Sequence, residues 1–441
     1  MLAGAIYGAA WATRAAGGPS AGLERFYIGT YTGSTSKGIY LSSLDLGAAT
    51  FGVTNLAATA SDPSFLAIHP NSKFVYALSE GGNYVAAYSI DLTARKLTYL
   101  NQLSLYNGAG PCHVVVDSAG KNVLVANYGG GSVTVLSIQS NGRLGSQTAN
   151  IPHVGTGASP LVHCVTLDAG NRFALVCDKG LDRIYSYHFD SQQGTLTTNN
   201  PPWTSVAAGA GPRHLAFEPQ YRRAYTICEN NSTVIGCNYD SQNGVLTPFQ
   251  TISTLPAGWS GQNTAAEIVV HPSGKYVYGS NRGHNSIVVY SANPTNGALT
   301  LVGHQTTGLT PRNFAIEPTG VYCIVANQDS DTVLLYTINP QTGMLTQTSQ
   351  TLQVSKPVCI VPFFVQPPQP VLGISPAANN TLDIGIGNGV GTLTYALSEA
   401  TVLATNTAWN LLMTGARGQT NFTLTNNNSN RFLRAGVVTN Y

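Results

Sequence analysis

The sequence predicts an all-β fold. It reads as a seven-bladed β-propeller over residues 23–366, closed by pairing strands from its N- and C-terminal ends, and a small β-sandwich-like module over 367–441. Three observations lead there. Charged residues make up only 9% of the 441 residues, against 43% apolar, and Gly, Asn, Ser and Thr fill the gap. A typical soluble domain is about a quarter charged, so this balance suits short strands and tight turns rather than amphipathic helices. A strand-and-turn unit recurs along the chain. The two ends of the repeat region carry the missing parts of one more unit.

Six segments share one grammar, beginning at PSFLAIHP, PCHVVVDS, LVHCVTLD, PRHLAFEP, AEIVVHPS and PRNFAIEP. Each runs on into a hairpin such as NGRL, QGTLT, NGVLT, NGALT or TGMLT. The period is roughly 46 to 53 residues, the range of propeller blades. Turns such as DSAGK, PSGK and EPTG separate short β-branched and aromatic runs, the pattern of four antiparallel strands. Blades packed face to face around an axis leave only short edges. The seventh blade comes from the ends. Residues 356–364, KPVCIVPFF, read as an innermost strand with no successor, and residues 26–50 read as outer strands with no innermost one.

Residues 367–441 open with PPQP, a linker signal, and continue as six short strand-like runs rich in Asn and Thr. They contain no His and no Cys. A role in surface attachment or self-assembly fits this module better than a second catalytic centre. Residues 1–22 are small and mostly apolar, with ATRAA as a cleavage region. This resembles a secretory signal peptide, and it is too short and interrupted to span a membrane. The expected location is therefore periplasmic, cell-surface or extracellular, with the cytoplasm as the alternative. Seven scattered cysteines without a CxxC pair read as buried free thiols rather than a disulfide framework. A net charge of +2 with no basic stripe argues against nucleic acid as a partner.

The repeat turns sequence equivalence into spatial equivalence. GPCH at 110–113 and GPRH at 211–214 read as the same turn into an innermost strand, two blades apart. At the start of that strand the copies carry Phe65, His113, His163, His214, Glu267 and Asn313, with Cys359 from the closing strand; Arg213 and Arg312 sit just before it. A second ring follows the second strand of each blade: Glu80, Tyr128, Lys179, Glu229, Arg282 and Gln328, with Tyr31 as the seventh member. The two rings are expected to face one central funnel. Lone residues of these types usually satisfy buried backbone groups, but so many in register argue for a site. Arginines bind anionic oxygens or stabilise an oxyanion, and His or Glu activates water. There is no GxSxG elbow. The His and Glu residues are spaced by blades rather than as a local metal motif, so no metal is expected.

At these residues the sequence resembles the seven-bladed β-propeller lactonase family, which includes the bacterial propeller-type 6-phosphogluconolactonase and the fungal carboxy-cis,cis-muconate cyclase. The pieces that carry the resemblance include GPCHV, VLVANYGGGSV, GPRHLAF, NTAAEIVVHPSGKYVYGSNRGHNSI and VANQDSDTV. It runs through nearly all of 26–364 and not through the last stretch. It implies catalytic His113, Arg213, Glu229 and Arg282, and no metal or organic cofactor. The same neighbourhood supplies His163, Lys179, His214, Glu267, His284, Arg312 and Gln328 as substrate-binding candidates. Two positions depart from the family. Leu161 stands where a second histidine is usual, and Lys179 replaces a usual leucine.

The resulting expectation is a lactonase that adds water to a sugar-type lactone resembling 6-phosphogluconolactone, without a metal. Arg213 and Arg282 hold the substrate's anionic group or carbonyl oxygen, Glu229 or His113 activates water, and His214 assists proton transfer. The alternative is an exported, non-catalytic propeller used for binding or attachment. Export predicts a mature protein beginning between Gly17 and Glu24, which N-terminal sequencing of the native protein checks; a native chain beginning at Met1 contradicts it.

Overall fold

The computed structural model describes residues 22–105 and 110–363, together with strands within 371–438. The signal-like segment 1–21 lies outside the described residues. The chain divides into two compact units with the boundary between Phe364 and Val365. Among the described residues no helix is long and apolar enough to cross a membrane.

The first unit is the predicted propeller. Six antiparallel sheets each use four consecutive strands. Their innermost strands are Leu66–Ile68, Pro111–Val116, Val162–Leu167, Pro212–Phe217, Thr264–Val270 and Pro311–Ile316. The seventh sheet joins the two ends: Pro357–Phe363 pairs with Leu23–Thr30, with Tyr27 opposite Val361. Leu23–Thr30 in turn pairs with Gly38–Asp45.

Burial explains the sequence pattern of each blade. The second strands, such as Asn122–Asn127 and Tyr322–Asn327, are buried along their whole length. Each lies between two neighbouring blades, so it reads as a continuous apolar run rather than an alternation. The outer strand Leu345–Gln353 alternates between exposed and half-buried positions instead. Apolar side chains meet between blades. One cluster joins Leu124 and Val135 to Val165 and Tyr187; another joins Phe26 and Ile28 to Ile324 and Leu335 across the closing blade. All seven cysteines are buried and free.

Turn chemistry accounts for several of the buried polar residues. Asp117 Oδ1 accepts from the amides of Lys121 and Asn122, each at 2.7 Å. Asp168 and Glu317 do the same in their blades. In the HPSGK turn His271 Nδ1 accepts from the Ser273 amide instead. These acids and histidines are structural.

The G-x-L-T hairpins lock each blade to its predecessor. Tyr278 Oη donates to the Gly343 carbonyl at 2.7 Å, and Tyr225 Oη to the Gly297 carbonyl at 2.8 Å. Gly343 has φ +77°, and a Cβ there falls 2.5 Å from the Tyr276 ring. A side chain is therefore strained twice over, by the backbone and by the neighbouring blade.

In the second unit, six strands fall on the six runs read from the sequence and form two three-stranded antiparallel sheets. One contains Val371–Ala377, Thr381–Gly387 and Asn421–Thr425; the other contains Thr394–Ala400, Asn410–Thr414 and Phe432–Val438.

Gly343→Ala is expected to cost about 1–2 kcal/mol or more from the left-handed backbone alone. Urea unfolding reads this as a lower midpoint at unchanged slope. An unchanged midpoint contradicts the locking role.

Candidate functional site

Six of the seven innermost strands begin with an irregularity in their pairing. In GPRH, Gly211 takes φ +68°, a conformation that glycine adopts without strain. Pro212 pairs with Cys228 and His214 with Ile227, so Arg213 is left over as a bulged residue. The same shift isolates Cys112, His163 and Arg312. Bulges re-aim side chains at functional sites. Here they bring Cys112, Arg213, Arg312 and Val358 to the wall of one pocket.

This register corrects one sequence equivalence. His113 lies opposite Ala126 and His214 opposite Ile227, but the matching partner in the third blade, Cys177, faces Cys164 rather than His163. Cys164 is the equivalent of His113 and His214, and His163 occupies the bulged position of Arg213 and Arg312. The cause is legible in retrospect. Asp117 follows His113 by four positions and Glu218 follows His214 by four, whereas Asp168 follows His163 by five.

Four predicted residues form one ion cluster. Glu229 Oε2 accepts from Arg213 Nε at 2.9 Å and pairs with Arg282 Nη2 at 3.1 Å. Its Oε1 accepts from Lys179 Nζ at 2.6 Å. Lys179 also donates to Tyr128 Oη at 3.4 Å. Arg213 Nη1 donates to the Ala266 carbonyl at 2.8 Å, and Arg282 Nη2 to the Ala265 carbonyl at 3.1 Å. Burial pushes the Glu229 carboxyl up, but Arg213, Arg282 and Lys179 together overcome this and hold it at about 2. Burial and the neighbouring Arg213 lower the Arg282 guanidinium to about 9, against the opposing pull of Glu229.

Three histidines pack beside this cluster. The His214 ring lies 5.1 Å from His113 and 5.2 Å from His163, both edge-on. The His113 ring lies 4.4 Å from Phe65 in a tilted contact, and its Nε2 lies 3.8 Å from Cys164 Sγ. His163 is held neutral, well below the usual histidine range, by burial and then by Arg213. His214 Nδ1 lies 2.9 Å from Glu267 Oε1, and its Nε2 lies 3.3 Å from Arg213 Nη1. A carboxylate only accepts and a guanidinium only donates. Nδ1 therefore carries the proton and Nε2 presents its lone pair. Burial lowers the His214 pKa, with Glu267 opposing and Arg213 assisting. Burial also works against ionised Glu267, but His214 and Arg213 prevail and lower its pKa. Asn313 Nδ2 donates to the other Glu267 oxygen, and its Oδ1 accepts from the Ile360 amide at 2.7 Å. Glu267 is thus fixed from two sides.

A small, open pocket lies here. Its wall contains Ser64 and the bulged Cys112, Arg213, Arg312 and Val358, with Phe65, His214, Glu267 and Asn313 from the next position. Glu80 completes it from the second ring. The structure thus brings together His113, His163, Lys179, Arg213, His214, Glu229, Glu267, Arg282 and Arg312.

His284 and Gln328 bond to none of these residues. His284 packs edge-on against Trp259 at 4.5 Å, and Gln328 Nε2 donates to Asp329 Oδ1 at 3.3 Å. Among the described residues, no group of three His, Cys, Asp or Glu is placed to hold a metal. Tyr31 and Glu80 were ring members in the sequence but not site candidates. Tyr31 Oη donates to Glu80 Oε2 at 2.9 Å at the pocket wall.

Glu229 makes stability depend on pH. Its folded pKa lies below its ordinary 4.5, so its contribution is full above pH 4.5 and is lost as pH falls toward about 2. The magnitude is about 3 kcal/mol. Glu229→Gln is expected to flatten the fall of Tm over this window; equal slopes in both proteins contradict it.

Comparison with known proteins agrees with this architecture. A family model described as a lactonase, seven-bladed beta-propeller, matches residues 25–362. The 6-phosphogluconolactonase of Bacillus subtilis is 35% identical over 296 residues, covering 65% of this chain and 83% of that protein. The 6-phosphogluconolactonase of Pectobacterium carotovorum is 32% identical over 249 residues, covering 56% of this chain and 72% of that protein. The solved periplasmic gluconolactonase of Pseudomonas aeruginosa superposes with a TM-score of 0.73 at 28% identity, covering 78% of this chain and all (100%) of that one. The chain therefore belongs to the seven-bladed β-propeller lactonase family, a family of lactone-hydrolysing enzymes.

Proposed function

We propose that this chain hydrolyses a sugar-type lactone in the pocket at the mouth of the propeller, by adding water to the ring ester without a metal ion. The observation that carries this reading is the His214–Glu267 pair beside Arg213. Glu267 holds the Nδ1–H tautomer of a neutral imidazole, and Nε2 presents its lone pair at the pocket wall, where it accepts from Arg213 Nη1 at 3.3 Å until water takes that place.

Each step falls to a residue already in place. His214 Nε2 accepts a proton from water as the water oxygen attacks the lactone carbonyl. Negative charge develops on the carbonyl oxygen, and the Arg213 guanidinium is the donor that stabilises it. Arg282 and Lys179 hold Glu229, and Glu229 holds Arg213 through Nε. The tetrahedral intermediate collapses with cleavage of the ring C–O bond, and the His214 imidazolium returns its proton to the departing alkoxide. Glu267 stabilises the imidazolium in between, the orienting role of a carboxylate behind a histidine. Glu229 is too acidic to be an efficient base near neutral pH. It is a positioning residue, which revises the role expected from sequence. The positive charge that a metal ion supplies in other hydrolases comes here from guanidinium groups, so activity is expected to survive chelation.

The work is proposed to take place outside the cytoplasm. The apolar residues 1–22 support export, as does the likeness to a periplasmic gluconolactonase.

Arg213→Ala is expected to lower kcat/KM for lactone hydrolysis by about a hundredfold, and Glu267→Gln by a similar factor or more. The pH profile carries the finer test. Because the His214 pKa is lowered from 6.5, wild-type kcat/KM falls only as pH drops below 6.5. Removing the Glu267 charge lowers that pKa further, so Glu267→Gln moves the acid limb to still lower pH on a reduced plateau. An acid limb at the same pH in both proteins contradicts His214 as the base.

A further inference from the structure

Side chains from three successive innermost strands meet behind the proposed base: His214, Glu267 and Asn313. In the middle strand Ala265 lies opposite Asn281 and Ile268 opposite Gly279, so Ala266 and Glu267 share Ser280. The Glu267 amide leaves the ladder and donates to Ser280 Oγ at 2.9 Å. Glu267 and Asn313 are both buried. Glu267 Oε1 accepts from His214 Nδ1 at 2.9 Å and from the Ile268 amide at 3.0 Å. Among the described residues Oε2 has a single donor, Asn313 Nδ2. Asn313 Oδ1 accepts from the Ile360 amide of the closing strand at 2.7 Å. A carboxylate only accepts and a backbone N–H only donates, so the two partners together fix which way the Asn313 amide faces. The other groups around the pair do not replace this donor. Arg213 Nη1 lies 3.3 Å from His214 Nε2 and donates to the Ala266 carbonyl, while its Nε donates to Glu229. The His113 and His163 rings pack on His214 at 5.1 and 5.2 Å. The Cys164 thiol is near His214 and the Cys359 thiol near Glu267; both thiols are buried.

We infer that Asn313 is a positioning residue for lactone hydrolysis: anchored on the closing strand, it fixes the Glu267 carboxylate in the place from which Glu267 aims His214. This rests on the reaction proposed above and adds a member to its machinery. The Asn313 N–H also draws negative charge off Glu267. Without it the carboxylate stabilises the His214 imidazolium more strongly, so His214 takes up its proton at higher pH. Asparagine suits the place because one short planar group carries both the donor and the acceptor. An aspartate sets a second carboxylate against Glu267. An apolar side chain leaves Oε2 and the Ile360 N–H buried without these partners.

In the full chain, Asn313→Ala is expected to lower kcat/KM for lactone hydrolysis by roughly tenfold to a hundredfold, the effect of a misplaced catalytic group. Its acid limb is expected at higher pH than that of wild type, the direction opposite to Glu267→Gln. Asn313→Leu fills the volume without either hydrogen bond and is expected to move the limb the same way; it carries the test if the alanine variant does not fold. A double-mutant cycle reads whether Asn313 acts through Glu267. In the Glu267→Gln background, Asn313→Ala is expected to cost less than about threefold. An undiminished loss in that background, or an unmoved acid limb, overturns the positioning role.

Titration of His214 by nitrogen-15 NMR reads the same contact without turnover. The His214 pKa is expected to rise in Asn313→Ala and in Asn313→Leu relative to wild type. A wild type that hydrolyses no lactone, with variants that still show this rise, overturns the reaction and not the hold of Asn313 on the pair. An unchanged His214 titration overturns that hold whatever the hydrolytic activity.

Discussion

The pairing of Leu23–Thr30 with Pro357–Phe363 closes the ring, and every distance at the mouth depends on that closure. His113, Arg213, Glu267 and Arg312 lie on four different innermost strands. No local structure brings them together; only a closed circle of blades does. The closing strand also contributes directly. Ile360 donates its amide to Asn313, which bonds Glu267, which holds His214. A seam between the two ends of the propeller chain is thus two side chains away from the proposed base.

A second constraint is charge. A low-charge chain gathers four cations and three carboxylates at one opening, which is stable only if each charge meets another. Glu229 answers Lys179, Arg213 and Arg282, and Glu267 answers His214. Preorganisation follows, because Arg213 is held by a carboxylate and a backbone carbonyl before any substrate arrives. Arg312 is the exception, steadied by a ring rather than by an anion. Lys179 finds its explanation in the same cluster. Its ammonium adds a third cation to Glu229 and touches Tyr128, so this departure from the family pattern strengthens the clamp.

The propeller was legible in the sequence because its period is written six times, with a seventh unit split between the two ends. Apolar runs of the fully buried second strands, the G-x-L-T hairpins and the complementary ends each follow from blade packing. Ring membership was legible for the same reason, and it located the ion cluster. A one-residue bulge was harder to read. His163 sits on the bulge it shares with Cys112, Arg213 and Arg312, and Cys164 takes the place assigned to it, because the third blade carries its histidine one position earlier relative to Asp168. Pairings across blades were not legible at all. Nothing in CENN shows that Glu229 meets three cations, and nothing in the Tyr31 segment shows that it reaches Glu80, because both contacts depend on side-chain direction around a closed ring. His284 entered from the neighbourhood of the site motifs and Gln328 as a member of the second ring; the His284 ring packs on Trp259 and the Gln328 amide bonds Asp329. Family membership favours an enzyme over the non-catalytic propeller.

The central claim is that His214 waits as a neutral imidazole with its proton on Nδ1, aimed by Glu267. Nitrogen-15 NMR of histidine-labelled protein, with His214 assigned by comparison with His214→Gln, measures this directly. The account predicts, at pH 7, a protonated Nδ1 and an unprotonated Nε2 for His214, and loss of that tautomer's dominance in Glu267→Gln. A doubly protonated His214 at pH 7, or a proton on Nε2 instead, contradicts it.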